Sequence, residues 1–327
     1  DYMVGAQLKG FETMVKISDA PIIVIEGDEY LSSPIDLRPK FHLYQPHIAL
    51  ISGIAWDHIN VFPTFDYYIN QFKIFIDLIE NSGTLIYNED DEVLRKLAEE
   101  AQDRLELVPY RHPNYTVEEG VTKILSGKKE ISLRIFGEHN LQNLSGAMEI
   151  CKKLGVTEKD FLKSIHSFSG ADKRLELIAQ KGNSRIFKDF AHSPSKLKAT
   201  TTAVKQQFPD SKLIACIELH TFSSLNKKFL KEYAGSLNDA DEALVYFNKR
   251  TIEHKKLPPI KEEDVEEAFL PKKVRVFTDS AKLKTHLKDA VLTDSTLLLM
   301  TSGNFDGIDL NSFAENLIKK IKDVVNQ

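Results

Sequence analysis

The sequence predicts an α/β protein with two domains, and three observations lead to that class. Short aliphatic runs alternate with helical patterns along most of the chain, which is the signature of α/β layering. The length of 327 residues corresponds to about two domains of ordinary size. Glycine and serine break the periodicity in SFSGADKR, residues 167–174, so we predict domains at 1–171 and 172–327.

The first domain is predicted to alternate strands and helices before a hairpin region. Strands are predicted at 21–25, 47–51, 84–87 and 105–109, helices at 64–81 and 91–102, β-hairpins around SGKK within 116–136, and a helix with an apolar face from Leu141 to Leu154. The strand at 21–25 is apolar throughout, so we expect it to be buried.

The second domain is predicted to be a doubly wound parallel sheet built from five strand–helix units. The predicted strands are 184–188, 212–216, 242–246, 274–277 and 296–300, and the predicted helices are 195–207, 225–237, 262–269, 281–289 and 310–325. The polar stretch 249–264 is predicted to be a solvated surface loop. Ligands in such sheets bind beyond the carboxyl ends of the strands, so functional side chains are expected there.

Composition argues against several classes of protein. The net charge of −5 disfavours a general nucleic-acid binder, because backbone binding needs a basic surface. No segment approaches the roughly 18 apolar residues of a membrane helix. Cys151 and Cys216 lie far apart without metal-ligand spacing, which favours a reducing, cytoplasmic compartment. The chain begins at Asp1 without an initiator methionine, and we expect it to be a fragment of something longer.

Acidic residues follow the first apolar strand, and a histidine follows the second. The carboxylates of EGDEY, residues 26–30, come directly after the first strand, and Asp57 and His58 follow the strand at 47–51. Carboxylates and an imidazole from neighbouring strand ends could hold a hard divalent cation. The alternative is a set of loop acids beside a histidine that caps a helix.

The motif GEHNLQN, residues 137–143, opens a predicted helix. Asn140 and Asn143 are three residues apart and therefore share a helix face. Asparagine amides can pair with the N6 and N7 edge of adenine. The alternative is that His139 or Asn140 caps the helix.

Basic and aromatic residues lie near the predicted domain junction. Lys173 and Arg174 could bind a phosphate across a cleft, or form a salt bridge at a hinge. Asp189 ends a strand just before Phe190 and His192, so it could hold ribose hydroxyls while the rings pack on a base. Asp189 could equally cap the helix that follows. Two further strand-end loops, 217–228 and 300–308, are expected to face the same crevice.

Taken in order, the motifs EGDEY, WDHINVF, GEHNLQN, KRLEL, DFAHSP and SGNFDGI resemble the Mur ligases of peptidoglycan synthesis and recycling. The resemblance implies a partial central ATPase domain of that family, followed by a Rossmann-like doubly wound C-terminal domain. The family's UDP-sugar domain and its Gly-rich phosphate loop are not represented. SGKKEIS, residues 126–132, lacks the upstream glycine of a phosphate loop and is predicted to be a hairpin.

The resemblance implies roles for residues of the first domain. Glu26 and His58 resemble the family's magnesium ligands, beside the site of an acyl phosphate. Asn140 and Asn143 look like the pair that contacts adenine, with His139 at the turn.

Further roles are implied for the helix after His58 and for the second domain. Arg174 is similar to the arginine that reaches the ATP phosphates when the domains close, and Asp189 to a ribose-binding residue, with Phe190 and His192 near the nucleotide. Lys73 lies on the helix where some relatives carry a carbamylated, catalytic lysine. The implied peptide-binding residues are His220, Thr221, Ser223, Ser224, Ser302 and Asn304.

The implied activity is amide formation driven by ATP and Mg²⁺. EGDEYLSSPIDLRP favours the branch that joins UDP-N-acetylmuramate to the tripeptide L-Ala-γ-D-Glu-meso-diaminopimelate, in a cytoplasmic monomer or weak dimer. HTFSSLNKK replaces the Arg-Ser-Asn-Thr type of run expected in that branch, which leaves the accepted peptide open. The first alternative is therefore a UDP-N-acetylmuramate–L-alanine ligase or another Mur-type ligase. The chain by itself is expected to be inactive, because the phosphate loop is lacking. A non-catalytic nucleotide-binding module is the second alternative, and an oxidoreductase is disfavoured because no GxGxxG follows a strand.

Overall fold

A computed structural model describes residues 1–5, 10–127, 129–290 and 294–321. It divides into two compact units, Asp1–Asp172 and Lys173–Gln327, one residue beyond the boundary that the sequence predicts. Among the described residues, no helix combines the length and the apolar character that a bilayer crossing requires.

The first unit contains short sheets and four α-helices among its described residues. Its strands are β1 (Tyr2–Met3), β2 (Val15–Lys16), β3 (Val24–Ile25), β4 (Ile48–Ile51), β5 (Thr84–Asn88), β6 (Glu106–Tyr110), β7 (Tyr115–Glu118), β8 (Val121–Ser126) and β9 (Lys129–Leu133). Its helices are α1 (Phe65–Asp77), α2 (Glu92–Glu100), α3 (Glu138–Lys153) and α4 (Glu158–Ile165), and a 3-10 turn spans Lys40–Leu43.

The parallel sheet β4-β5-β6 is the centre of the first unit. Helices α1 and α2 begin where side chains satisfy their first amides: Thr64 accepts from the Tyr67 amide and Asp91 from the Leu94 amide. Strands β7, β8 and β9 pair antiparallel, so the predicted hairpins are confirmed. The buried apolar residues around the parallel sheet include Ile51, Phe62, Phe72, Ile76, Leu85 and Leu94.

The prediction that residues 21–25 form a buried strand is wrong. Only Val24 and Ile25 are extended, as β3, which belongs to a sheet of two-residue strands in the order β2-β1-β3. Ile22, Ile23 and Val24 are each nearly half exposed. Strand β3 pairs with β1 and not with β4, so among the described residues this apolar run lies at the surface and not inside the parallel sheet.

The second unit is built on a six-stranded sheet. Its strands are β10 (Glu176–Lys181), β11 (Ser184–Asp189), β12 (Lys212–Glu218), β13 (Glu242–Tyr246), β14 (Arg275–Phe277) and β15 (Ser295–Met300). Its helices are α5 (Pro194–Gln207), α6 (Lys227–Leu230), α7 (Lys249–His254), α8 (Glu262–Ala268), α9 (Ser280–Ala290) and α10 (Leu310–Lys320), and a 3-10 turn spans Lys231–Tyr233.

The sheet order β10-β11-β15-β12-β13-β14 confirms the doubly wound parallel fold. Every neighbouring pair is parallel except β10 and β11, which are antiparallel. Strand β15 is buried along its whole length, which matches its uninterrupted aliphatic sequence. Strands β12 and β15 are neighbours, with Ile217 opposite Met300, so the loops that follow them meet at one edge.

Further elements differ from the sequence prediction. The edge strand β10 and the helix α4, where the Asp160 amide donates to the capping residue Thr157, are not among the predicted elements. The helix expected at 225–237 is only the short α6, followed by the 3-10 turn and by Gly235 at φ 71°. The predicted end of the last helix, at 325, lies outside the described residues.

The stretch 249–264 is not the solvated loop that its polarity predicts. It contains α7 and the start of α8. Ile252 and Ile260 are each only 4% exposed. Two isolated isoleucines are enough to anchor this polar segment, because each buries its whole side chain.

Candidate active site

The segment after β4 places His58 in an unusual backbone conformation. His58 has φ 55°, a left-handed value that costs energy for a residue with a Cβ. Hydrogen bonds hold the turn: the His58 carbonyl accepts from the amides of Val61 at 2.8 Å and Phe62 at 2.9 Å. The buried Asp57 accepts from the His58 amide at 2.7 Å. These hydrogen bonds therefore fix the position of the His58 backbone, from which the imidazole ring extends.

The carboxylate that the structure brings to the His58 ring is that of Glu29. His58 Nε2 lies 3.5 Å from Glu29 Oε1, and the Tyr68 hydroxyl is 3.4 Å from the same oxygen. The edge of the Tyr30 ring meets the imidazole at 5.0 Å between centroids. Burial, and then the charge of Glu29, raises the pKa of Tyr68, so its hydroxyl stays protonated and can donate. Glu29 and His58 thus form a carboxylate–imidazole pair.

The other acids of EGDEY have different partners. The Glu26 carboxylate accepts from the Gly5 amide. Asp28 lies 2.6 Å from the Lys40 ammonium; burial alone would raise the pKa of Asp28, but the bonds from Lys40 and the Tyr30 amide lower it. Within the described ranges, no group of three or more His, Cys, Asp or Glu side chains converges as metal ligands.

Lys73 and the predicted adenine pair also have local partners. The Lys73 ammonium lies 2.6 Å from Glu100, and this hydrogen bond raises the pKa of Lys73. Carbamylation needs a neutral amine, so this ion pair works against it. Asn140 donates to the Phe136 carbonyl at 2.9 Å, whereas Asn143 is exposed on α3. The N-cap position of α3 is Gly137, so neither His139 nor Asn140 is the residue that caps this helix.

Arg174 lies in a short segment that is held against the end of β11. Lys173 and Leu175, on either side of it, have φ 58° and φ 45°. The Phe190 amide donates to the Lys173 carbonyl at 2.8 Å, and the Leu175 amide donates to Asp189 at 2.6 Å. The guanidinium carbon of Arg174 lies 5.5 Å from the centre of the Phe190 ring. The hydrogen bonds of Lys173 and Leu175 therefore fix the backbone on both sides of Arg174.

Asp189 acts as an anchor for this segment. It is 4% exposed, and its second carboxylate oxygen accepts from the Ala191 amide at 2.6 Å. Burial raises the pKa of Asp189, although the two amides oppose that effect. Asp189 is not the cap of α5, because the cap position is Ser193. His192 meets the Phe190 ring at 5.2 Å between centroids.

A second carboxylate–histidine pair lies where β12 and β15 end. Glu218, the last residue of β12, is 2% exposed. It accepts from the Thr301 hydroxyl and from the Phe305 amide, the latter at 2.8 Å. His220 Nδ1 lies 3.7 Å from Glu218 Oε1, and 36% of the His220 side chain is exposed. The loop closes tightly over the pair, since a Cβ on Gly303 would lie 2.7 Å from Glu218 Oε2.

Some predicted peptide-binding residues build the loops around this pair. Thr221 and Ser224 bond each other reciprocally, with the Ser224 amide 3.0 Å from Thr221 Oγ1 and the Thr221 amide 2.9 Å from Ser224 Oγ. Ser223 and Ser224 are buried, whereas Asn304 is exposed and accepts from the Gly307 amide at 2.9 Å. The Ser302 hydroxyl oxygen is buried without a hydrogen-bond partner among the described residues.

The site residues predicted from the sequence do not include Glu218, Thr301 or Gly303. A signal for Glu218 was available: it is a carboxylate that closes the aliphatic run LIACI, two residues before a histidine. A carboxylate at the end of a buried strand needs hydrogen-bond or charge partners, because burying it without them costs free energy. Such a residue is therefore a candidate for a functional site. Nothing in the sequence indicates which loop supplies those partners.

Fold and sites together define an α/β protein whose polar side chains collect beside the ends of parallel strands, where such proteins bind ligands. Two family models match the chain. The Mur ligase middle domain covers residues 14–151, and the Mur ligase, glutamate ligase domain covers residues 173–303. The chain belongs to the Mur ligase family.

Individual relatives agree with this assignment. The chain is 29% identical over 258 residues to a UDP-N-acetylmuramate--L-alanine ligase of Caldicellulosiruptor bescii, covering 74% of this chain and 54% of the relative. It is 26% identical over 253 residues to the UDP-N-acetylmuramate--L-alanyl-gamma-D-glutamyl-meso-2,6-diaminoheptandioate ligase of Escherichia coli, covering 75% and 55%. The chain spans about half the length of these curated relatives.

Solved structures show the same fold. A murein peptide ligase from Psychrobacter arcticus 273-4 superposes with a TM-score of 0.60 at 19% identity, covering 99% of this chain and 72% of that one. MurF from Acinetobacter baumannii superposes with a TM-score of 0.68 at 17% identity, covering 91% and 64%.

Proposed function

We propose that the protein containing this chain is a cytoplasmic, ATP-dependent amide ligase that joins UDP-N-acetylmuramate to L-Ala-γ-D-Glu-meso-diaminopimelate. One observation carries the proposal: family models match both units, and each unit holds a carboxylate–histidine pair in segments that follow strands. In this reaction the lactyl carboxylate of the sugar attacks the γ-phosphate of ATP and releases ADP. The amine then attacks the acyl phosphate and expels phosphate.

The first unit supplies candidates for the phosphoryl-transfer step. Glu29 and His58 offer one carboxylate and one imidazole to a divalent cation, and Glu26 lies on the same segment as Glu29. Mg²⁺ is commonly bound by one or two protein ligands while phosphates and water complete its shell, so these residues fit it. Bound there, Mg²⁺ would neutralise charge on the transferring phosphate. Asn143 and His139 are proposed to lie near adenine.

The second unit supplies a positive charge and the site for the amine. Arg174 is proposed to stabilise charge on the phosphates, and its backbone segment is held in place by Asp189. Asp189 is proposed to serve the nucleotide through this anchoring role, because both of its oxygens accept backbone amides. The loops with His220, Ser302 and Asn304 are proposed to receive the amine substrate.

L-alanine is the second candidate for the amine. The Caldicellulosiruptor bescii relative is a UDP-N-acetylmuramate--L-alanine ligase, and it is slightly more similar to this chain than the Escherichia coli tripeptide ligase. The loop HTFSSLNKK also lacks the run expected of the tripeptide branch.

Direct assay separates these functions. The full-length native protein would be incubated with ATP, Mg²⁺ and UDP-N-acetylmuramate, together with either the tripeptide or L-alanine. ADP release and the mass of the UDP-sugar product would be measured. We expect a product heavier by the tripeptide. A product heavier by alanine alone would assign the second candidate, and no ADP release with either amine would reject a ligase.

A further inference from the structure

We propose that His220, oriented by the buried Glu218, accepts the proton that the substrate's ammonium group must lose before it can attack. This inference rests on the proposed function and adds a role that the ligase reaction requires. An amine is protonated near neutral pH, because the α-amino pKa of a peptide is about 8. An ammonium group has no lone pair and cannot attack an acyl carbon. A proton acceptor beside it therefore accelerates the reaction.

The geometry of the pair suits an oriented base. Glu218 lies on the Nδ1 side of the ring at 3.7 Å, so a proton on Nδ1 is favoured and the lone pair is left on Nε2. The carboxylate also stabilises the positive charge that arrives when Nε2 takes a proton. The ring is more than a third exposed, whereas the carboxylate behind it is sealed from water. The imidazole of His220 can therefore contact a substrate, whereas the carboxylate of Glu218 can only orient the imidazole.

The surroundings show that the loop is built to keep Glu218 charged. Burial alone would raise its pKa, but His220, the Thr301 hydroxyl and the Phe305 amide outweigh burial and lower it. Phe305 adopts φ 49° to present that amide. Gly303 has no space for a side chain, since a Cβ would also lie 2.8 Å from His220 Nδ1. The strained backbone of Phe305, the absence of a side chain at Gly303 and the buried charge of Glu218 all lie around the His220 imidazole.

A second glutamate–histidine pair in the same unit provides a matched contrast. His286 Nε2 lies 2.7 Å from Glu242 Oε1, where Glu242 begins β13 at the amino end of the sheet. Glu242 is also 2.9 Å from the Lys212 ammonium, and Arg275 lies 2.9 Å from His286 Nδ1. Permanent cations engage both members of this pair. It is therefore a structural ion network at the end of the sheet opposite to the ligand edge.

The proposed step is balanced in atoms and charge. The ammonium gives one proton to His220 Nε2, and this proton later passes to solvent. The neutral nitrogen forms a bond to the acyl carbon, and the bond from that carbon to the phosphate oxygen breaks. The remaining extra proton on nitrogen leaves with phosphate, which departs as hydrogen phosphate. No redox partner is needed.

Hydroxylamine separates amine activation from acyl-phosphate formation. It is largely uncharged near neutral pH, so it can trap the acyl phosphate as a hydroxamate without a proton acceptor. In the full-length protein we expect His220→Gln to lower kcat for ligation on the order of 100-fold. We expect hydroxamate formation with ATP and UDP-N-acetylmuramate to stay within about twofold. Glu218→Gln should lower kcat for ligation by about tenfold, with the KM for ATP unchanged.

His286→Gln is the matched control, and both reactions should keep their rates. Equal loss of ligation and hydroxamate formation in His220→Gln would overturn the proposal, as would a rise in the KM for the amine with kcat unchanged. Ligation by His220→Gln at the native rate would also overturn it. If His220→Gln does not fold, Glu218→Gln and His220→Asn carry the same test. Failure of the native protein to form either product would instead reject the proposed ligase function.

Discussion

The two units each contain a histidine beside a glutamate, and the two carboxylates differ in their exposure. In the first unit the side chains of Glu29 and His58 are 27% and 29% exposed. In the second unit the side chain of Glu218 is 3% exposed, although His220 is 36% exposed. The first pair presents both groups to solvent, whereas the second presents only the imidazole.

This difference indicates two kinds of task. A carboxylate that must bind a cation has to be reached by it, so partial exposure suits Glu29. A carboxylate that must orient another side chain is better buried, because low dielectric strengthens its field and protein donors fix its position. We therefore expect equivalent substitutions in the two units to have different effects.

The largest expected effect is on stability. Glu218→Ala leaves the Thr301 hydroxyl and the Phe305 amide without their acceptor, so we expect the free energy of unfolding to fall by about 3 kcal/mol. Glu29→Ala removes a partly exposed pair and should cost less than about 1 kcal/mol. Urea denaturation of this chain followed by circular dichroism measures both variants, and fluorescence of Trp56, the single tryptophan of these 327 residues, reports on the first unit. Equal losses in the two variants would remove the distinction between the pairs.

The next effect is on the requirement for Mg²⁺. His58→Gln should raise the Mg²⁺ concentration for half-maximal hydroxamate formation by about tenfold, because one proposed ligand is lost. His286→Gln, the same change in a structural pair, should leave that concentration unaltered. A Mg²⁺ titration of the full-length protein at fixed ATP gives both values. An unchanged requirement in His58→Gln would remove the first pair from the cation site.

The smallest effect is a pH dependence of stability. The folded-state pKa of Glu218 is lowered from 4.5, so its stabilising contribution is complete above 4.5 and is lost as the pH falls through the lowered value. The difference in unfolding free energy between the native protein and Glu218→Gln should therefore shrink below pH 4.5. Urea midpoints measured from pH 3 to pH 6 would test this. A difference that grows on acidification would contradict the assigned shift.

Local patterns were sufficient for most of the fold. The parallel strands of the second unit are continuous aliphatic runs, and helices such as α1 and α2 carry a capping residue ahead of an amphipathic face. The failures have a common cause. Residues 21–25 are apolar but remain largely exposed among the described residues, and residues 249–264 are polar but are anchored by Ile252 and Ile260. Burial depends on what packs against a segment, which local composition does not contain.

The candidate sites show the same division. Sequence alone singled out His58 and Arg174 as candidates, because a histidine beside a strand end or an arginine at a domain junction is chemically conspicuous, and the family resemblance added His220. It paired His58 with Glu26, whereas the structure places Glu29 beside the ring. Asp189 does not cap α5, as one alternative had it, and its carboxylate anchors the Arg174 segment. Partners that are distant in sequence decided each of these outcomes.

By itself, the sequence determined the class of protein, the doubly wound second domain and the family, because aliphatic periodicity and ordered motifs are properties of the linear chain. Only the tertiary structure decided which carboxylate meets which histidine. Thr301, Gly303 and Phe305 reach Glu218 from more than 80 residues away, since β15 lies beside β12 in the sheet. A side chain's chemistry is set by its neighbours in space, and those neighbours are chosen by strand order.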